Sequence, residues 1–439
     1  MPHVERSRTR RAAAFVVIAG LVATIAACGK GTQDSGATGS GPATPSKELS
    51  LLFPVSNPGL KETLAAVLGQ DFTARTGITV DVQTGANSYS EVDQRLFADI
   101  ATGRPPDMAI VSYSSVKTYA DSGVAKPLDT ALANAQFPTD HIYDQFLALG
   151  QHEGKTVAVP QSITLLNLWY NADAFRRAGL DPDKPPTTYE QLRSASEKIV
   201  KSGAAKVGVA WRSADSTASW PFQNFVASYG GSLATPDGAP DFQNANALSA
   251  LTYWSDMQKD GLAVGSTGAV VEQQFLSGEA AMTANTSSYL PILSKGAKFD
   301  LRLSALPGAT AQAPRLIPQG GFMISTNPDP HKLAAAVEVM KVLASGPGQV
   351  EQARLSGYLP VNESEAQSGE LATVLATDPR RQVTLDWPQY VTPMQQLRGR
   401  NAQEAWSKLD LAVGQAIAGK SSPADALREA QTQAARVIK

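Results

Sequence analysis

Apolar residues early in the chain alternate between short runs and helical spacing. Residues 49–53 form a mostly apolar run of strand length, which predicts a buried strand. Asn57 and Pro58 follow, a pair typical of a helix N-cap and a first helical residue. The helix that they predict has its apolar residues at helical spacing, namely Leu60, Leu64, Val67, Leu68 and Phe72.

The following segments continue this alternation. Ile78, Val80 and Val82 are separated by polar residues, which predicts a second strand. Residues 89–102 have the spacing of a helix, and residues 107–111 form a third strand-like run. Strands separated by helices are typical of a parallel sheet covered on both faces. The pattern therefore predicts an α/β fold, with ligands bound at the carboxyl ends of the strands.

The same alternation returns later in the chain. Residues 156–160 and 164–170 are strand-like, and Thr188 with Gln191 forms a capping box for a helix that runs through Val200. Further helices are predicted around Leu333–Leu343 and Ala405–Ile417, and a last helix from Ser422 onward.

The N-terminus has the pattern of an export signal rather than of a folded element. Four arginines between residues 6 and 11 precede the apolar run 12–27, which is too short to span a bilayer comfortably. Residues 25–28, Ile-Ala-Ala-Cys, resemble the lipobox of bacterial lipoproteins, in which the cysteine is acylated. Cys28 is also the only cysteine, so it has no partner for an internal disulfide. We predict a lipoprotein signal peptide over residues 1–28.

An ordinary cleaved signal with an incidental cysteine is the alternative, and Arg10-Arg11 leaves a twin-arginine export route open. Residues 29–46 are rich in Gly, Ser, Thr and Pro, which predicts a flexible linker. A lipid, a linker and a folded body together predict a protein held at the outer face of a cell membrane.

Composition narrows the class of function. The chain has 439 residues, enough for two lobes, and its formal net charge of −2 does not suit a nucleic-acid binder. His141, His152 and His331 lie far apart, with no metal-ligand spacing, and the sequence contains no HExxH or GxSxG motif. The sequence predicts neither a catalytic residue nor a metal or other cofactor.

One formal motif match is better explained by helix termination. Residues 414–421 fit the P-loop pattern, but the residues before them have helical rather than strand periodicity. Gly419 is therefore predicted to end a helix, with Lys420 near the negative end of its dipole.

Aromatic and small polar residues cluster near predicted loops. A flat ring packs against the C–H groups of a polyhydroxylated ligand while polar neighbours bind its hydroxyls. Core packing is the alternative for each tryptophan taken singly. The residues in question are Trp211, Trp220, Ser287, Ser288, Tyr358 and Trp387.

Several ordered motifs resemble one family of extracellular solute-binding proteins, which includes maltose-binding and glycerol-3-phosphate-binding proteins of bacterial importers. The resemblance covers nearly the whole chain from Leu49 onward. Its motifs are Tyr89–Glu91 through Ile100–Gly103 with Pro106–Asp107, then Leu168–Asn171 with Ala174–Leu180, then Phe275–Thr283, and finally Gly357–Val361. The glycerol-3-phosphate branch is the nearest, through Ala178–Pro182, Pro185–Pro186, Asn285–Ser288, Gly320–Gly321 and Leu397–Asn401.

The resemblance implies which residues contact the ligand. It implies Glu91, Ser162, Trp211, Ser288, Gly321, Tyr358 and Arg398, with Trp220 as the other tryptophan that could stack on the ligand. It also implies a guanidinium–phosphate contact at Arg398, with a smaller part for Arg400. Solvated charge and bonding to sugar hydroxyls are the alternatives for Arg398.

The family fold is the two-lobed periplasmic-binding-protein fold of type II. Residues 47–160 and 309–345 are expected in the first lobe, and residues 161–308 and 346–439 in the second. The implied function is capture of a small polyhydroxylated nutrient between the lobes and its delivery to an ABC permease. An exported phosphodiesterase or glycosidase is the rival, and it would need a metal cluster or paired carboxylates. A purely structural lipoprotein is a third possibility.

Overall fold

Two separate five-stranded sheets organise the molecule. The computed structural model describes residues 42–214, 219–310, 315–399 and 401–438. In chain order the strands are β1 (Glu48–Leu52), β2 (Thr79–Gln83), β3 (Met108–Ser112), β4 (Gln151–His152), β5 (Lys155–Thr156), β6 (Val159–Thr164), β7 (Leu166–Asn171), β8 (Val207–Arg212), β9 (Ala263–Ser266), β10 (Ala280–Thr286), β11 (Leu301–Ala305) and β12 (Gln319–Ser325).

The helices alternate with these strands. In chain order they are α1 (Leu60–Val67), α2 (Gln70–Thr76), α3 (Tyr89–Ala101), α4 (Tyr113–Asp121), α5 (Asp129–Asn134), α6 (Asp144–Ala148), α7 (Ala172–Arg177), α8 (Tyr189–Lys201), α9 (Ser219–Ser228), α10 (Ala245–Lys259), α11 (Gly268–Leu276), α12 (Leu290–Gly296), α13 (Pro330–Ala344), α14 (Gly346–Leu355), α15 (Glu363–Gln367), α16 (Gly369–Leu375), α17 (Pro379–Thr384), α18 (Ala402–Ile417) and α19 (Pro423–Val437). Short 3₁₀ turns cover Thr139–His141, Ser287–Tyr289 and Trp387–Tyr390.

The first sheet has the strand order β2-β1-β3-β12-β6 and, with its helices, forms the first lobe. Strand β1 runs parallel to β2 and β3, as the alternating sequence pattern predicted. Strand β12 enters from far along the chain and pairs antiparallel with β3 and β6.

The second sheet has the order β11-β7-β10-β8-β9 and forms the second lobe. Strand β10 is parallel to β8 and antiparallel to β7. The chain passes between the sheets at Leu165, which joins β6 to β7, and again between β11 and β12. The carboxyl ends of β3, β6 and β10 therefore lie near the passage from one lobe to the other.

Two helix ends agree with the sequence prediction. Thr188 caps α8 by accepting from the Gln191 N–H, and Gln191 reaches back to the Thr187 N–H at 2.8 Å. Helix α18 ends at Ile417, and Gly419 has a φ of 70°, so the P-loop match at residues 414–421 is a helix end, as predicted.

The predicted start of the first helix is wrong. Helix α1 begins at Leu60, after Gly59 in the left-handed conformation, and not at Pro58. The Asn57 side chain does not cap a helix; its Nδ2 donates to the Tyr89 hydroxyl at 2.5 Å. A Cβ on Gly59 would lie 2.6 Å from Leu355 Cβ, so packing from a distant helix fixes this corner.

Helix α14 lies against the first lobe, whereas the sequence assigned all of 346–439 to the second. It packs on α1 and α13, and Gln352 Nε2 donates to the Pro58 carbonyl at 3.1 Å. The 3₁₀ turn at Thr139–His141 contacts α15, while α17 packs on β11 and α18 on α9. These contacts place α14 and α15 beside elements of the first lobe, and α17 and α18 beside elements of the second.

Candidate ligand-binding cleft

Four buried hydroxyl side chains, here called the hydroxyl cluster, meet where β6 leaves the first sheet and β10 ends in the second. They are Thr164, Thr286, Ser287 and Ser288. Thr164 Oγ1 lies within hydrogen-bond distance of Thr286 Oγ1 and is 2.9 Å from Ser287 Oγ. Ser288 Oγ is 3.0 Å from Thr286 Oγ1, and the Ser288 N–H donates to Thr164 Oγ1 at 3.3 Å. The cluster is neutral and rich in both donors and acceptors.

Tyr358 adds a phenol to this cluster. The ring is buried, and its hydroxyl hydrogen-bonds to Ser288. The adjacent Gly357 lies so close to the Ser287 carbonyl that a Cβ there would approach its oxygen to 2.0 Å. Glycine at this position therefore allows the Gly357–Tyr358 backbone to reach the end of β10.

A second set of polar groups comes from the first lobe. The Tyr89 hydroxyl, which accepts from Asn57, lies 3.1 Å from the point that a Cβ on Gly321 would occupy. The Gly321 N–H donates to Ser162 Oγ at 3.3 Å. A Cβ at residue 321 would also lie 2.9 Å from Ile110 Cγ2, so glycine allows these side chains to approach the strand closely.

Burial keeps both phenols protonated. Desolvation raises the pKa of Tyr89 well above its ordinary value, and the nearby Tyr358 raises it further. Desolvation likewise raises the pKa of Tyr358, against a smaller opposing effect of the hydrogen bond with Ser288. Tyr358 is close enough to Tyr89 to affect its pKa, so the cleft presents two neutral phenols beside the hydroxyl cluster.

The structure brings together four of the residues that the resemblance implied. Ser288 and Tyr358 bond to each other, Gly321 and Ser162 bond to each other, and Tyr89 lies near both Gly321 and Tyr358. Asn57, Tyr89 and Thr164 were missed by sequence reasoning, because isolated polar residues beside predicted strands and helices give no distinctive signal.

Glu91 lies beside these residues, and its carboxylate already has hydrogen-bond partners. Its side chain is exposed, and its carboxylate accepts from the Asn87 N–H at 2.8 Å and from Asn87 Nδ2 at 3.3 Å. Its own N–H donates to Ser88 Oγ at 3.2 Å, which makes a helix cap at the start of α3. In this arrangement Glu91 stabilises the loop that carries Tyr89.

The two candidate tryptophans occupy different environments. Trp211 has no exposed surface and stacks on Trp254 with ring centroids 5.0 Å apart and planes at 13°. This environment favours core packing for Trp211 over contact with a ligand. Trp220 is partly buried, and its Nε1 donates to the Ile317 carbonyl at 3.0 Å, in the segment that joins β11 to β12. Trp220 therefore contacts a connection between the lobes.

Among the described residues, no contact joins Arg398 to the hydroxyl cluster. Its side chain is exposed and lies along Gly238, and its N–H donates to the Gly238 carbonyl at 2.9 Å. The pKa of Asp237 is lowered mainly by the hydrogen bond from Thr235 and by a local backbone hydrogen bond. The charge of Arg398 lowers it further. Arg400 lies outside the described residues, as does Cys28.

The rim of the cleft contains a contact between the lobes. Gln396 Nε2 donates to the Tyr113 carbonyl at 3.0 Å, and the Lys117 N–H donates to Gln396 Oε1 at 3.2 Å. A pocket of about 190 Å³ opens beside this contact and is lined from both lobes, with Lys117 and His152 on one side and Pro236 on the other.

The histidines and acidic side chains of the described residues form no metal-binding group. Across them, no three His, Cys, Asp or Glu side chains are grouped so that they could hold a metal ion. His152 Nε2 lies 3.1 Å from Asp121, and His331 Nδ1 bonds the Thr44 carbonyl oxygen at 2.7 Å. None of the helices in the described ranges is long and apolar enough to span a membrane.

The chain is similar to solute-binding proteins in sequence. The family model described as bacterial extracellular solute-binding protein matches residues 57–350, more than half of the chain. The sn-glycerol-3-phosphate-binding periplasmic protein of Shigella flexneri is 26% identical over 314 residues, which cover 68% of this chain and 70% of that protein. The protein of the same name from Escherichia coli K12 is 26% identical over 315 residues, with the same two coverages.

Solved structures of such proteins share the fold. UgpB from Mycobacterium tuberculosis in complex with glycerophosphocholine matches with a TM-score of 0.78 and 20% identity, covering 91% of this chain and 98% of that one. The cyclic alpha-maltosyl-1,6-maltose binding protein from Arthrobacter globiformis matches with a TM-score of 0.75 and 24% identity, covering 90% and 99%.

These likenesses confirm the predicted two-lobed α/β fold and the predicted family resemblance. They support a binding role over the exported hydrolase, because the matched family consists of solute-binding proteins. With a family model that matches most of its length, the chain belongs to the bacterial extracellular solute-binding proteins.

Proposed function

We propose that this protein captures a small polyhydroxylated solute between its lobes and delivers it to the permease of an ABC importer. The candidate solutes are glycerol-3-phosphate, a glycerophosphodiester or a sugar. The observation that carries the proposal is the hydroxyl cluster with Tyr358, which lies where the two lobes meet and faces Tyr89 of the first lobe. Uncharged donors and acceptors suit sugar or glycerol hydroxyls.

Binding would use groups from both lobes. Ser288 would bind from the second lobe, and Ser162, Gly321, Glu91 and Tyr358 from the side of the first lobe. Groups on two lobes can contact one small solute together only when the lobes are close, so binding would favour the closed arrangement. The closed arrangement is then the form that a permease recognises.

Two further contacts belong to the proposal. Trp220 would couple solute binding to the connection at Ile317, to which its Nε1 donates. Arg398 would contact the phosphate of a phosphate-bearing solute from the rim. Its position beside Asp237 means that an incoming phosphate would compete with an acidic neighbour for the guanidinium.

The family is extracellular, and we propose that Cys28 carries a lipid that holds this member at the membrane surface. Residues 29–46 would then act as a linker long enough for the folded body to reach a permease. This anchoring is consistent with a chain whose sequence contains a single cysteine.

Calorimetric titration with sn-glycerol-3-phosphate, sn-glycero-3-phosphocholine and maltose tests the proposed function. We expect saturable binding of at least one solute, and solute at a hundred times its Kd should stabilise the protein by about 2.7 kcal/mol. Ser288→Ala should weaken binding, whereas Ser249→Ala, at an exposed serine of α10, should not. Turnover of the solute during incubation, or no binding at all, would contradict the proposal.

A further inference from the structure

Gln161 is the extra residue of a β-bulge beside the cleft. In the pairing of β12 with β6, Gly321 lies opposite Ser162 and Phe322 lies opposite Pro160, so Gln161 has no opposite residue. A bulge turns the side chain of its extra residue away from the regular alternation of the strand. Gln161 Oε1 lies 3.1 Å from the position of a Cβ on Gly321, at the same distance as the Tyr89 hydroxyl.

A chain of hydrogen bonds fixes which end of the Gln161 amide faces Gly321. The Pro58 carbonyl can only accept, so the amide of Gln352 turns its Nε2 toward it, at 3.1 Å. Gln352 Oε1 then faces Gln161, whose Nε2 donates to it at 3.0 Å. The Gln161 oxygen is thereby directed to the other side, toward Gly321.

This oxygen is an unsatisfied acceptor. Gln161 is 1% exposed, and its Oε1 has no hydrogen-bond partner among the described residues. A buried acceptor without a donor is costly, and few are found in native proteins. The Gln161 carbonyl is also bonded, since Gln349 Nε2 donates to it at 3.1 Å. The surroundings hold the oxygen in place without supplying a donor.

We propose that Gln161 Oε1 accepts a hydrogen bond from a hydroxyl of the bound solute and so selects a solute with a neutral O–H at this point. The inference rests on the proposed function and specifies the chemistry of the same cleft. A phosphate oxygen that carries the negative charge cannot donate, so the phosphate of a phosphate-bearing solute lies away from Gly321. The Tyr89 hydroxyl, which accepts from Asn57, donates its own proton to the oxygen of the same solute hydroxyl.

The test compares solutes that differ by one hydroxyl. The probe is whichever of sn-glycerol-3-phosphate, sn-glycero-3-phosphocholine and maltose the wild type binds, titrated beside its mono-deoxy analogues. Wild type should prefer the parent over one analogue by at least about tenfold, because the missing donor leaves the buried acceptor unpaired. Gln161→Met should remove most of that preference. The matched control is Gln431→Met, since both ends of the Gln431 amide are bonded within the second lobe, to Pro240 and Phe242.

A crystal structure of the wild type with the bound probe gives a second measurement that does not depend on the folding of a variant. It should place a solute oxygen within about 3.2 Å of Gln161 Oε1. An unchanged preference in a folded Gln161→Met variant, or an Oε1 that contacts only water or Tyr89 in the complex, would overturn this inference and leave the proposed function standing. Failure of the wild type to bind any of the three solutes would overturn both.

Discussion

Gln396 donates from Nε2 to the carbonyl oxygen of Tyr113 at 3.0 Å, which links the lobes at the rim of the cleft. The Lys117 N–H donates to the other end of the same amide at 3.2 Å, so Gln396 bridges the first turn of α4. Gln396 belongs to the segment before α18, which is bonded to the second lobe through the Arg398 N–H and the Gly238 carbonyl. These two bonds can form only when the lobes are together.

Gln396→Ala should therefore speed solute release. The loss of two neutral hydrogen bonds from the closed form is expected to raise the dissociation rate by about tenfold, with a smaller effect on association. Stopped-flow displacement measures the rate, and small-angle scattering should show a smaller decrease in the radius of gyration on binding than in wild type. Gln395→Ala, at the exposed neighbouring position, is the control. Equal release rates in wild type and Gln396→Ala would rule out this role.

Trp211→Phe should lower stability and leave solute affinity unchanged. The ring is buried against Trp254 and Phe225. A smaller ring packs less well there and should lower the free energy of unfolding by about 0.5–3 kcal/mol. Trp220→Phe should instead lose the bond to Ile317 and weaken binding, because that bond joins the second lobe to the connecting segment. Denaturant unfolding and calorimetry on both variants separate the effects. Weaker binding in folded Trp211→Phe would restore the ligand-contact prediction for that residue.

Asp93→Asn should stabilise the protein at neutral pH. Burial raises the pKa of Asp93 to about 6, against the opposing effect of hydrogen bonds from Tyr119 and Ser115. The folded state then holds this proton more tightly than the unfolded state, so stability declines as pH rises from about 4 to 6. Urea unfolding should show similar midpoints for the two proteins at pH 4 and a higher midpoint for the variant at pH 7. A higher midpoint for wild type at pH 7 would contradict the assigned shift.

Arg398→Ala should weaken the binding of a phosphate-bearing solute by about 1.5–3 kcal/mol, because the guanidinium is proposed to bind the phosphate. The same variant should change the affinity for maltose little. Arg400→Ala should have a smaller effect than Arg398→Ala on the affinity for the phosphate-bearing solute. Calorimetry with glycerol-3-phosphate and maltose gives the comparison. Tight binding of the neutral sugar by the wild type, with no response to glycerol-3-phosphate or its diesters, would discard the phosphate contact.

Cys28→Ala should abolish lipid attachment. The substitution removes the only thiol in the chain, so the precursor should stay unprocessed or lack the lipid. Metabolic labelling with a radioactive fatty acid, followed by membrane fractionation, measures both outcomes. Equal labelling of wild type and variant would show that Cys28 is not the attachment site.

The sequence alone determined the class of fold and many local features. Alternating strand and helix patterns predicted the parallel pairing of β1 with its neighbours, and Thr188 with Gln191 predicted the start of α8. The glycine at 419 predicted the end of α18. Such features depend on residues a few positions apart, and local propensity and hydrophobic periodicity record them directly.

Only the tertiary structure decided which polar residues share the cleft and which pack elsewhere. Gln161 and Gln352 are 191 positions apart, and Thr164 and Ser287 are 123 apart, so no local pattern predicts that they bond. The same holds for Trp211, whose partner Trp254 lies on another element, and for α14, which packs on α1. Periodicity shows that a residue is buried, but the chain's long-range path decides what it is buried against.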